Sequence, residues 1–104
     1  MIQVLAIITT QPGKRADVLA AFNENRPAVL AEAGCVEYGA VVDAANLPSG
    51  WASFGPDVFV VVEKWESMDA LKAHAKAPHM AAYGARVKDW LVNRAIHVME
   101  PVGG

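Results

Sequence analysis

The sequence predicts an α+β domain with one antiparallel sheet, and three observations carry that prediction. The segments run strand, helix, strand, strand, helix, strand along the chain. The strands are apolar on both faces, which a sheet with one wet face would not be. The chain has 104 residues, the size of one domain, so 1–104 is read as a single unit.

The first strand, Ile2 to Thr10, is rich in β-branched residues and closes on the turn signal Gln11-Pro12-Gly13. Helical spacing begins at Lys14 and places Val18, Phe22, Val29 and Leu30 near one face. Pro27 should kink or split this helix, and Gly34 is placed to cap its C-terminus. Cys35 to Asp43 reads as the second strand. Ala44 to Asp57, rich in Pro, Gly, Ser and Asn, is a long hairpin connection that carries Trp51 and Phe54. Such a loop is a lid or binding loop, or its aromatics pin it to the body. Val58 to Glu66 is the third strand. Ser67 is placed to N-cap a helix running to about Lys76, with Asp69 in the favourable first turn. Pro78 should break that helix and open a second piece, Pro78 to Leu91, with Met80, Tyr83, Val87 and Trp90 on one face. Arg94 to Glu100 is the last strand.

The doubly apolar strands have a consequence for assembly. Ile2, Val4, Ala6 and Ile8 lie on one face of the first strand, and Leu5 and Ile7 on the other. Val58, Val60 and Val62 oppose Phe59 and Val61 in the same way. Two helical regions cover one sheet face, and so short a chain has no second sheet for the other. A second copy is the economical cover. The expectation is a homodimer with its sheets packed together and a cavity on the inner face of each sheet. Hydrophobic residues make up 54% of the chain, a surplus that can line a pocket or a partner surface.

Composition also sets exclusions. The net charge is -2 and no segment is a run of Lys and Arg, so no nucleic-acid footprint is expected. The single cysteine, Cys35, leaves no intrachain disulfide, which fits a reducing compartment. The start Met1-Ile2-Gln3-Val4 lacks a basic n-region, and no apolar run approaches the roughly 20 residues that span a membrane. The reading is a soluble, cytoplasmic protein with no membrane partner.

The chemistry-bearing residues gather between Glu63 and His79. Strand alternation puts Glu63 and Trp65 on the face of Phe59 and Val61, where a carboxylate must be paired, hydrogen-bonded or near water. Glu63 is then either functional or a strand-end carboxylate held by its neighbours. Trp65 is a core residue or a cavity wall. His74 shares the inward helix face of Ala70 and Leu71. His79 follows Pro78 near a helix start, which favours a neutral imidazole able to act as a base. Glu63, His74, His79 and His97 are metal-ligand types. However, the five-residue step from His74 to His79 across Pro78 fits no recognised metal motif, so no metal is expected. Cys35 lacks a neighbouring base and reads as a small buried hydrophobe. No phosphate loop, dinucleotide fingerprint or nucleophile elbow appears.

These residues resemble a known family. The run Val62-Glu63-Lys64-Trp65-Glu66-Ser67, then Ala70-Leu71 with His74, then Pro78-His79-Met80, resembles the signature of the antibiotic biosynthesis monooxygenase (ABM) family. Gln11-Pro12-Gly13-Lys14 resembles its first turn, and Gly34-Cys35-Val36-Glu37-Tyr38 its second strand. The resemblance implies a ferredoxin-like βαββαβ unit paired into a dimeric α+β barrel. It implies oxidation of a small aromatic substrate, a phenol or quinol, by O₂ without metal, flavin or other cofactor. On that footing His74, His79 and Glu63 are the candidate catalytic residues, and Trp65, Tyr83 and Tyr38 the candidate substrate-binding ones. Haem-degrading relatives carry an Asn on the first strand, where this chain has Leu5-Ala6-Ile7-Ile8. Sugar-phosphate isomerases would need a cationic grip, and no Lys or Arg cluster is evident near the site. The alternatives are a non-catalytic dimer that binds a small molecule or a partner, and an oxygen-independent isomerase.

Overall fold

The computed structural model describes residues 1–103. Strand β1 covers Ile2–Thr10, helix α1 Arg15–Leu30, β2 Cys35–Val41 and β3 Val58–Trp65. Helices α2 (Met68–Ala75) and α3 (Pro78–Val87) follow, then one 3₁₀ turn at Lys88–Trp90 and strand β4, Leu91–Met99. All pairings are antiparallel, in the order β2-β3-β1-β4. This is the expected ferredoxin-like α+β arrangement, with the second helical region divided at Pro78.

Register places every inward residue. Val4 faces Glu63 on β3 and Val98 on β4, and Ala6 faces Val61 and Ile96. Tyr38 on β2 also lies opposite Glu63. The helices cover this face. Val18, Ala21, Phe22 and Val29 are the buried stripe of α1, at spacings that keep one helix face turned to the sheet. Phe22 is its centre, stacked on Tyr38 at 5.2 Å and edge-on to Phe59 and Tyr83. Burying a side chain of this size contributes about 1.5–3 kcal/mol.

Several expectations need correction. Pro27 does not split α1. It lies in the last turn, and its carbonyl still accepts the Ala31 N–H, so only its own missing donor is lost. Leu30 is 42% exposed, whereas Ala21, not expected in the stripe, is buried. Ala31, not Gly34, caps the helix. Gly34 instead closes the following turn at φ +83°, a left-handed conformation that suits glycine. Strand β2 stops at Val41 rather than Asp43. The helical piece after Pro78 ends at Val87, and β4 starts at Leu91 rather than Arg94. Ser67 does cap α2, accepting the Ala70 N–H at 3.1 Å. On the hairpin, Trp51 and Phe54 are 69% and 54% exposed, so they do not bury the loop against the body. The Asp43 carboxylate braces it, accepting the N–H groups of Phe54 and Gly55.

Candidate active site

A cavity of about 440 Å³ lies between the helix-covered sheet face and helices α2 and α3. That is an ordinary size for a small-molecule pocket. It occupies the helix side of the sheet, so the cavity belongs to one chain's own layers. Val4, Ala6, Ile8 and Val61 form its floor, and Leu71 and Met80 its cover. Ile96 and Val98 of β4 line it while 54% and 45% exposed, so the β4 side is open.

The polar groups on its wall are few. Glu63 is 7% exposed, and the Trp65 indole N–H donates to its Oε1 at 2.9 Å. Burial pushes the Glu63 carboxyl above the usual range, opposed by that hydrogen bond and by His74. Trp65 is fully buried behind this contact and does not line the cavity; its indole lies 4.6 Å from the His74 ring. Tyr38 and Tyr83 do line it. Burial drives the Tyr38 phenol well above its normal value, with Glu63 adding to the effect. The Tyr83 phenol is pushed up to about 12 by burial, with Arg94 pulling the other way. Both phenols therefore stay protonated and can donate a hydrogen bond.

His74 is the polar group of greatest chemical consequence. It is 6% exposed and lines the cavity, and its Nδ1 lies 2.9 Å from Glu32 Oε2. Its Nε2 has no hydrogen-bond partner among the described residues. No buried side-chain nitrogen or oxygen among the described residues is left unpaired, and the His74 ring lines the cavity. His79 does not line the cavity. Its Nε2 lies 2.8 Å from the same Glu32 oxygen, and the ring lines a separate surface groove between α1 and α3 with Glu24, Asn25 and Arg86. Glu63, His74, Tyr38 and Tyr83 thus share one wall, with Trp65 behind it and His79 outside.

Glu32 is the residue that sequence reasoning missed. The α1–β2 turn holds it in place. The Gly34 carbonyl accepts the Glu66 N–H at 2.8 Å, and a Cβ on Gly34 would stand 2.6 Å from the Ala70 methyl. This close approach docks the turn on the start of α2 and sets Glu32 over the α2–α3 junction. A second correction concerns charge. Lys72 and Arg94 both line the cavity, so cations are present at the site. His97 lies on the opposite sheet face, across from Leu5. Among the described residues no cluster of three or more His, Cys, Asp or Glu is arranged to hold a metal.

The ferredoxin-like α+β sheet and the strand-end Glu-x-Trp agree with an ABM-type domain. The chain belongs to the antibiotic biosynthesis monooxygenase family, whose pattern matches residues 1–86. It is 41% identical to the Escherichia coli K12 protein named "Probable quinol monooxygenase YgiN" over 97% of this chain and 98% of that one. Among solved structures, Rv0793 of Mycobacterium tuberculosis superposes with a TM-score of 0.79 at 25% identity, covering 99% of this chain and 96% of that chain. PA3566 of Pseudomonas aeruginosa superposes at 0.81 and 22% identity over 98% and 94%, a likeness of fold. No helix among the described residues is long and apolar enough to cross a membrane.

Proposed function

We propose that this domain is a cofactor-independent monooxygenase that oxidises a small electron-rich hydroxyarene or quinol with O₂, with His74 as general base. The observation that carries this reading is the His74 ring, fixed through Nδ1 by Glu32 on the wall of an apolar cavity. Family membership and the name borne by the E. coli relative point the same way.

The step begins when His74 Nε2 takes the phenolic proton of a bound quinol, a general-base contribution of about 10²–10⁴-fold. The anion gives one electron to O₂, and the radical pair recombines at carbon to form a peroxide. His74 returns the proton to the outer peroxide oxygen, and the O–O bond breaks as the carbon bearing the peroxide gives up its C–H proton, so the departing hydroxide leaves as water and the new carbonyl completes a hydroxyquinone. One quinol and one O₂ thus give one hydroxyquinone and one water. The cavity walls hold and orient the ring. Tyr38 and Tyr83 are placed to donate hydrogen bonds to substrate oxygens. Glu63 and Trp65 act as a pair that braces the His74 ring.

The test is O₂ consumption with a panel of naphthoquinols and polyphenols, neutral and carboxylated. Wild-type protein should stimulate uptake, and His74→Ala should reduce it about 10²-fold or more. Lys72 and Arg94 should lower KM for the carboxylated members. Undiminished turnover in His74→Ala overturns the assignment. One observation favours a second reading. Lys72 and Arg94 supply a cationic grip suited to an anionic substrate, as an oxygen-independent isomerase would use. Turnover sustained under nitrogen would select it.

We infer also that the working form is a homodimer. Leu5, Val41 and Met99 on the outer sheet face are 37%, 49% and 41% exposed, and Ile96 and Val98 leave the cavity open beside β4. A second chain would cover the outer face.

A further inference from the structure

We propose that Glu32, His74 and His79 form a charge-compensating proton relay, in which proton uptake at His74 in the cavity is matched by proton release at His79 into the α1–α3 groove. The proposal rests on His74 being the base of the preceding reading. Its geometry is independent of substrate. His74 Nδ1 and His79 Nε2 stand 2.9 and 2.8 Å from one and the same oxygen, Glu32 Oε2. Side-chain exposure rises along the chain of contacts, from 7% at His74 through 14% at Glu32 to 29% at His79. The two ends open on different spaces: His74 on the cavity, His79 on the groove. Tyr83 contributes to both walls and divides them.

The physical need is clear. Protonating His74 creates a cation in a largely buried site, which is costly unless it is paired. Glu32 brings one negative charge and balances one imidazolium. In the relay as proposed, both rings donate to the Glu32 oxygen and the trio carries a single imidazolium, which sits on His79 before the phenolic proton arrives. When the phenolic O–H breaks, its proton forms an N–H at His74 Nε2. His79 then releases its Nδ1 proton to the groove and keeps the Nε2–H that faces Glu32. The trio ends with the charge it began with. When the proton leaves His74 again, His79 takes one back from solvent.

The surrounding titratable groups do not compete. Tyr38 on β2 and Glu63 on β3 lie beside His74, Cys35 on β2 lies near Glu32 and Glu63, and burial raises all three toward their neutral forms. Tyr83 on α3 is raised likewise. In the groove, Glu24 of α1 is paired with Arg86 of α3. Lys72 and Arg94 are the cations on the cavity wall.

The test is anaerobic, so it does not depend on oxygen chemistry. A hydroxyarene is mixed with full-length protein in weakly buffered solution containing a pH-indicator dye, and phenolate formation is followed by its absorbance. Wild-type protein should form phenolate and release roughly one proton per chain to solvent. The methyl ether, which has no phenolic proton, should release none. His79→Gln should still form phenolate but release at most about a fifth as many protons, because the proton stays on His74. Glu32→Gln, which removes the shared charge, should lose both signals and serves as a second variant should His79→Gln fold poorly. Equal proton release from wild type and His79→Gln overturns the relay. Phenolate in wild type without proton release overturns it while leaving His74 as base. Absence of phenolate in wild type overturns both.

Discussion

Replacing Gly34 by Ala tests the contact that builds the site. Two costs follow from the geometry. The residue sits at φ +83°, where an L side chain costs about 1–2 kcal/mol. The new methyl would also stand 2.6 Å from the Ala70 Cβ, well inside the roughly 3.5–4.0 Å of ordinary carbon contact. Ala70 is held rigidly on α2 and cannot swing away, so overpacking adds about 1–3 kcal/mol. The sum is about 2–5 kcal/mol, a large share of the roughly 5–15 kcal/mol that stabilises a small domain. For a chain of this length that lowers Tm on the order of 10–30 °C. Urea and thermal melts at fixed protein concentration measure it. Adding Ala70→Gly separates the costs. The double variant should regain the overpacking share and keep the backbone share, after allowing about 1 kcal/mol for glycine inside α2. The relief must appear as positive coupling between the two sites. Glu32 lies two residues before Gly34, so surviving folded Gly34→Ala protein should also lose turnover beyond its loss of stability. A Gly34→Ala stability change within about 0.5 kcal/mol, or zero coupling to Ala70→Gly, refutes the account of how this turn is seated.

Two further outcomes are expected. The Glu63 carboxyl titrates higher in the folded protein than its unfolded value of 4.5, so the folded state binds the extra proton. Stability from this group is present below 4.5 and is lost as pH rises through the folded value. Glu63→Gln cannot ionise and keeps an acceptor for Trp65, so its urea midpoint should gain on wild type as pH rises above 4.5; a midpoint that instead falls behind contradicts the burial argument. For assembly, sedimentation equilibrium should give twice the 11.1 kDa chain mass, and Ile7→Asp on the outer face should shift it to monomer. A wild-type monomer at micromolar concentration would remove the second chain from the reading.

Most of the fold was legible because it depends on local periodicity. The nine residues of β1 alternate cleanly and end on a Pro-Gly turn, so both of its limits could be read. The chain after Pro78 was harder. Met80, Tyr83, Val87 and Trp90 keep helical spacing although the helix stops at Val87, because the 3₁₀ turn at 88–90 continues nearly the same rotation. Strand β4 gave a weak signal for a different reason. Its residues are mostly exposed in the single chain, on both faces, so little alternation marks where it begins.

The candidate site divides along the same line. Glu63, Trp65 and His74 lie in one stretch, where strand alternation and then helix spacing carry all three inward. His79 follows His74 by only five residues, but Pro78 starts a new helix axis between them and turns the second ring to the groove. Glu32 had no local signal at all. It lies 42 residues before His74 and 47 before His79, and only the docking of the α1–β2 turn brings it to them. The sequence held one indirect clue, Gly34, which marked a turn but not what the turn delivers. The strand-end Glu-x-Trp and the helix His therefore mark one side of the cavity, while the carboxylate that holds the His74 ring comes from a residue outside that pattern. Consider a chain that kept the whole Glu63–His79 pattern but lacked a carboxylate at position 32. By this reasoning such a chain retains the fold and the cavity but loses the ring orientation and charge balance on which the proposed base depends.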